Sequence, residues 1–191
     1  MHGDGRTREA APGATPAPRV AVLGLGNVLM ADDALGPWSV RRLEAGWTFP
    51  HGVEVLDLGT PGLDLSPFLA GLDAAIVVDT VASDGAPGAL RVYRRAEILS
   101  KPLRPRVSPH DPALRETLLT LELAGCAPRE VVVVGVIPAR LDSTVGLSDA
   151  VRGAIPAVER AVLAELERLG CPARARPAPA APEIWWESVA G

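Results

Sequence analysis

Three stretches of this chain are apolar almost without interruption: "RVAVLGL" (19–25), "AAIVVDTV" (74–81) and "EVVVVGVIP" (130–138). A strand with one face in water alternates apolar and polar residues. Continuous β-branched runs belong instead to strands covered on both faces, the kind found inside a parallel α/β sheet. "VEVLDLG" (53–59) reads as a further strand, and the alternating "ALRVYRR" (89–95) as one nearer a sheet edge. Helical spacing fills the intervals: 34–45, with Leu35, Trp38, Val40 and Leu43; a short helix at 63–71; 112–124, with Leu114, Leu118, Leu119, Leu121 and Leu123; and 148–169. In the last of these Ser148 suits the N-cap and Gly170 the end, while Gly153 and Pro156 suggest a break or kink. The order β-α-β-α-β-β-α-β-α predicts an α/β fold. It is a single domain of three layers, a twisted, mostly parallel sheet with helices on both faces.

The chain has 191 residues, enough for one domain with a real core. Residues 1–18, rich in Gly, Ala and Pro, read as a disordered lead-in, 19–170 as the folded domain, and 171–191 as a Pro/Ala-rich tail. Trp185 and Trp186 are unusual in a free tail, and two readings stand, docked on the domain or exposed. The net charge of −4 without a basic cluster argues against nucleic acid as partner. No apolar run is long enough for a membrane span, and no secretory h-region opens the chain. Two cysteines, Cys126 and Cys171, make no disulfide framework, so a reduced cytoplasmic setting is expected.

In open α/β sheets functional groups gather beyond the carboxyl ends of the strands. Strand one ends in Gly24-Leu25-Gly26-Asn27, a partial dinucleotide-binding turn. Such a turn wants a further glycine where Leu29 stands, and Asp32 and Asp33 bring negative charge to the place of a phosphate. Asp57, at the end of strand two, matches the ribose-binding acid of a nucleotide site, so a nucleotide-binding Rossmann-like enzyme stands as an alternative. Acids at a helix start also have a structural use, since they complement the dipole and cap the first turn. That accounts easily for one of the pair. It does not account for Asp79, which ends an otherwise apolar strand, where an unpaired carboxylate is costly. His110, one of three histidines, stands between Pro109 and Asp111-Pro112. If Asp33, Asp79 and His110 converge above the sheet, two carboxylates and an imidazole form a donor set suited to a divalent transition metal with open positions. No Ser-His-Asp or Cys-His nucleophile set competes; Ser108 lies beside Pro109 without a glycine elbow.

Several segments, in order, resemble the hydrogenase maturation proteases: "GLGNVLMADDALG", "DLGTPGLDL", "IVVDTVAS" followed by "PGALRVY", "VSPHDPALRETL" and "VVVVGVIPARLDSTVGLSDAV". The resemblance spans about residues 19–170. It implies a monomeric α/β protein that removes the C-terminal extension of a nickel-iron hydrogenase large-subunit precursor. The cut follows nickel insertion and falls just after the His or Arg that follows the last metal-binding cysteine motif. It also implies that the first-loop acid, the acid ending strand three and the His of the S-P-H segment contact the metal, here Asp33, Asp79 and His110. Many members carry Glu at the position of Asp33, so Asp32 is a conceivable substitute there. Nickel is expected as the metal, supplied by the precursor, with other divalent metals able to stand in for it. Gly24, Gly26 and Asn27 are expected to shape the first loop, and Gly59, Thr60 and Gly62 to form a rim that contacts substrate. A noncatalytic chaperone that docks the precursor through the same trio is a further alternative.

Overall fold

A computed structural model of the chain describes residues 17–61, 64–100 and 111–189. In chain order the elements are β1 (Val20–Leu25), α1 (Leu35–Gly46), β2 (Trp47–Thr48), β3 (Val53–Gly59), α2 (Ser66–Leu69), β4 (Ala74–Thr80), β5 (Leu90–Arg94), α3 (Arg95–Ser100), α4 (Asp111–Leu123), β6 (Glu130–Val136), α5 (Asp149–Arg168), β7 (Arg174–Ala175) and α6 (Trp185–Val189). A 3₁₀ turn, Ala31–Ala34, leads into α1.

Five strands form the main sheet in the order β3-β1-β4-β6-β5. The first four are mutually parallel, and β5 runs antiparallel along β6 at the edge. β1 and β4 are buried at every residue and β6 at all but its first, as their unbroken apolar runs require. The edge strands β3 and β5 are only partly covered.

Pleating sends alternate residues to opposite faces, so each buried strand feeds two cores. Val20, Val22, Ile76, Val78, Val132 and Val134 pack with Leu35 and Leu43 of α1 and Val158 and Val162 of α5. Ala21, Leu23, Ala75, Val77, Val131 and Val133 pack with Leu65 and Leu69 and with Leu114, Leu118 and Leu121 of α4. The result is the expected three-layer α/β domain. Two leucines expected on the apolar face of α4 lie outside it: Leu119 is 37% exposed and Leu123 92%. The stripe that meets the sheet is 114-118-121, one side of a helix, and these two fall off it.

α5 departs from expectation too. It runs unbroken through Gly153 and Pro156. Both residues are on its exposed side, where the Arg152 carbonyl that Pro156 cannot serve is open to water. Its ends are as read. Ser148 Oγ accepts from Val151 N, and Gly170, at φ 75°, closes the helix. There the Cys171 amide donates to Leu166 O and the Gly170 amide to Glu167 O, the paired bonds of a Schellman end.

The segment beyond Gly170, expected as a tail, is folded against the domain. Its docking reading is the one realised: β7 pairs with β2, and Trp186 is 2% exposed within the α1/α5 core. The lead-in lies outside the described residues up to position 16. Among the described residues, no helix is long and apolar enough to cross a membrane.

Candidate active site

The carboxyl ends of β1, β4 and β6 lie side by side, and the loops that leave them carry the acids. β1 ends against α1 at unusually short range. A Cβ on Gly24 would stand 2.5 Å from Gly36 O, and one on Gly36 would stand 2.1 Å from Leu25 O and 2.7 Å from Val78 O. Close strand–helix packing is the task of the third glycine in a dinucleotide turn. Here Gly36 performs it from within α1, so the intervening loop is free to carry other groups. Gly26 turns the chain at φ 136°, and a side chain there would overlap Asp33 O. The expectation that glycines shape this loop therefore holds at both Gly24 and Gly26.

Asn27 fixes the turn from inside. Its side chain accepts from Leu29 N at 3.0 Å, and its carbonyl accepts from Met30 N at 3.0 Å. Ala31 follows in the left-handed region, φ 46°, which is uncommon for a residue with a side chain. The 3₁₀ turn then presents Asp32 and Asp33. In such a turn successive side chains diverge by about 120°, so the two acids face different surroundings.

Asp33 is 4% exposed. Its Oδ2 accepts from Asn27 N at 2.8 Å and its Oδ1 from the Thr80 hydroxyl at 3.3 Å. Asp79, 3% exposed, ends β4 as the sequence predicts. Its Oδ1 accepts from Thr80 N at 2.7 Å. Thr80 therefore bonds to both carboxylates, its hydroxyl to Asp33 and its amide to Asp79, at the carboxyl end of β4. Asp33 receives only neutral donors among the described residues. Two buried carboxylates at the ends of neighbouring strands are hard oxygen donors of the kind a divalent cation suits. Among the described residues no three His, Cys, Asp or Glu are grouped to hold a metal ion. His110, the third expected member, lies outside the described residues.

Asp32 is wholly buried and turned elsewhere. Its Oδ2 accepts from Ala139 N (2.8 Å), Arg140 N (3.0 Å) and the Ser148 hydroxyl (2.9 Å), and its Oδ1 from Ser148 N (2.6 Å). Three donors converge on Oδ2 and one on Oδ1, all from residues 139–148, so Asp32 is committed to that segment while Asp33 meets Asn27 and Thr80.

The remaining expected residues divide. Gly59, at φ 55°, donates its N–H to Asp57 Oδ1 at 3.1 Å and accepts from Gly26 N at 2.8 Å, so its backbone is already engaged in bracing the first loop. Thr60 is exposed at the rim, and Gly62 lies outside the described residues. Asp57 is not free to take a ribose: besides Gly59 N, it faces Arg41 Nη2 at 3.6 Å. The loop amide of Asn27, to which a phosphate would look, already holds the Asp33 carboxylate. The nucleotide alternative fails on both counts. Sequence reasoning missed Thr80 and Gly36. The first has a signal, its place directly after the strand-ending acid. The second has none short of the packing itself.

Comparison with known proteins bears on the family and the fold. The family model described as "Hydrogenase maturation protease" matches residues 38–165. The Hydrogenase 2 maturation protease of Escherichia coli (strain K12) is 38% identical over 162 residues, 84% of this chain and 98% of that protein. Among solved structures, the hydrogenase maturating endopeptidase HybD from E. coli superposes with a TM-score of 0.76 at 35% identity, covering 83% of this chain and 98% of that one. The [NiFe] hydrogenase maturation protease HybD from Thermococcus kodakarensis gives 0.60 at 27% identity, over 79% and 98%.

Proposed function

The chain belongs to the hydrogenase maturation proteases, and from that premise we propose how it recognises its substrate: nickel already inserted in the precursor is read by Asp33, Asp79 and His110. The enzyme is an endopeptidase. It removes the C-terminal extension of a nickel-iron hydrogenase large-subunit precursor, a reading supported by relatives described as a hydrogenase maturation protease and a hydrogenase maturating endopeptidase. That activity displaces the noncatalytic chaperone reading. Its setting is cytoplasmic and its working form a monomer.

The observation that carries the proposal is the pairing of Asp33 and Asp79 through Thr80. Two buried carboxylates at the ends of neighbouring strands, both bonded by Thr80, attract a cation. With only two acids and one imidazole, such a site is a poor permanent cage, because coordination positions stay open. Nickel held by the precursor's own cysteines fills that need, and the protease then engages only loaded substrate. A divalent metal at this point supplies Lewis acidity for the scissile carbonyl or for water. Thr80 and Asn27 keep the Asp33 carboxylate aimed, and Thr80 N–H does the same for Asp79. Hydrolysis adds water across the peptide bond: the hydroxyl oxygen joins the carbonyl carbon and the proton goes to the leaving amine. Thr60, with Gly59 and Gly62, is assigned to contact with the extension, and of these Thr60 stands exposed.

The test is cleavage of nickel-loaded precursor, followed by the mass of its C-terminus. Wild type is expected to shorten the loaded precursor and leave the nickel-free form intact. Asp79→Ala and His110→Ala are expected to lose cleavage by about 100-fold or more, the scale of removing a group that stabilises charge in a transition state. Equal cutting of loaded and empty precursor would sink nickel recognition. Undiminished cutting by the variants would sink the residue assignment.

A further inference from the structure

Asp32 is buried beside the site, carries a charge, and takes no part in the reading above. Its four donors all come from one segment, the connection between β6 and α5: Ala139 and Arg140 at one end, and the amide and hydroxyl of Ser148 at the other. Two backbone bonds run the same way, from Ala31 N to Thr144 O at 2.6 Å and from Asp32 N to Arg140 O at 3.3 Å. The connection is thus held at its start, middle and end by two consecutive residues of the first loop. Those residues immediately precede Asp33. Ala31 sits in an unfavourable backbone region, which persists only where the surroundings over-determine it.

We propose that Asp32 is a positioning residue of the peptidase. Its carboxylate clamps the 139–148 connection to the first loop, and so fixes both the course of that connection and the direction of the Asp33 carboxylate. The proposal rests on the assignment of Asp33 to the reactive site. Asp32 touches neither substrate nor metal; it acts through what it holds. The clamp has a defined weak point. An Asn side chain keeps the shape but offers one accepting oxygen and one amide nitrogen. Aimed at the three donors that meet Oδ2, it sets its NH₂ against the Ser148 amide. Flipped, it sets its NH₂ against the Ala139 and Arg140 amides, and the Ser148 hydroxyl must turn from donor to acceptor.

The experiment compares Asp32→Asn with Asp33→Asn in the full-length protein, by amide hydrogen exchange and by steady-state cleavage of nickel-loaded precursor. Asp32→Asn is expected to speed exchange at Ser148, Ala139 or Arg140 by about 10-fold or more through local opening, with the amides of β1, β4 and β6 unchanged. It is expected to lower kcat by about 10-fold with KM little altered, as for a group whose effect is felt in the transition state. Asp33→Asn is expected to lower kcat at least as far while the 139–148 amides stay protected. Ser148→Ala removes one of the four donors together with the α5 cap on Val151 N, and keeps the assay informative should Asp32→Asn not fold; it is expected to speed exchange at Ala139 and Arg140, beyond the first turn of α5, and to lower kcat more mildly. Unchanged exchange in Asp32→Asn, or faster exchange with unchanged kcat per folded molecule, overturns the proposal. So does equal loosening of the connection in Asp33→Asn. If wild type cleaves no loaded precursor, the parent reading fails, and the exchange comparison alone judges the clamp.

Discussion

Single atoms decide the first loop. Gly24 and Gly36 let β1 and α1 approach until one backbone rests on the other, and neither position has room for a methyl group. On Gly36 the obstructing atoms are Leu25 O and Val78 O, both inside buried strands that cannot give way. Gly36→Ala is therefore expected to destabilise by about 3 kcal/mol, at the upper end for overpacking a core, which in a chain of this size lowers Tm by about 6–12 °C. Gly46 is the control. It ends the same helix, and a Cβ there meets nothing within 4 Å. Gly46→Ala is expected to stabilise by about 0.5–1 kcal/mol through helix propensity and reduced unfolded-state entropy. Thermal melts of the two variants check both signs. A Gly36→Ala protein as stable as wild type would show that α1 can slide away from β1, and the loop geometry around Asp33 would need another cause.

The elements read well from sequence where burial dictated composition, and poorly where long-range contacts did. β1, β4 and β6 are legible because a strand covered on both faces has little choice of residue. Asp79 stands out in the sequence for the same reason, being the one charge such a strand would not otherwise carry. The division of labour between Asp32 and Asp33 was not legible, because it depends on donors from 139–148, more than a hundred residues away. α3, β2 and β7 were not legible either, since a six-residue helix and two-residue strands leave no periodic signal. α5 shows a further contact of this sort. Glu165, though near the surface of the core, accepts from Arg94 Nη1 of β5 at 2.8 Å and Arg168 Nε at 2.7 Å, and Arg168 also bonds Glu130 of β6. Burial pushes its carboxyl upward, but the hydrogen bonds and charges of the two arginines outweigh it and leave the group below its usual range. A lowered folded value means that the stabilisation is complete above the ordinary Glu range, about 4.3, and is lost as pH falls through the folded value. Glu165→Gln is expected to cost about 1 kcal/mol at pH 7, kept small by the solvent exposure of Arg94 and Arg168. The gap from wild type is expected to close as denaturation is repeated below about pH 4.5. A gap that stays constant down to pH 3 would show that the charge of Glu165 plays no part.

At the scale of the whole molecule, residues 172–189 close the fold and do not trail from it. Composition hid this, because Ala and Pro carry no period and the docking is made by a few side chains and backbone bonds. The Arg176 amide donates to Gly46 O, and its Nε donates to Glu44 O and Trp47 O, so one residue serves the carboxyl end of α1. At the other end of the helix pair, Glu187 accepts from Trp38 Nε1 at 3.2 Å and from Arg152 Nη2 at 2.8 Å. Trp38 belongs to the first turn of α1 and Arg152 to the first turn of α5, so α6 bridges the starts of the two helices that follow the acid-bearing loop and the 139–148 connection. Between these anchors Trp186 enters the core. Removing residues 183–191 takes away that tryptophan and the Glu187 bridge together. Truncating a buried tryptophan alone costs about 3–5 kcal/mol, which at about 2–4 °C per kcal/mol corresponds to a Tm lower by roughly 6–20 °C. Trp186→Ala is expected to account for most of that loss and Trp185→Ala, at 53% exposure, for little. Differential scanning calorimetry of the three proteins measures it. A truncated chain melting within about 2 °C of the full one, less than 1 kcal/mol at this size, would mean that α6 rests on the domain without holding it.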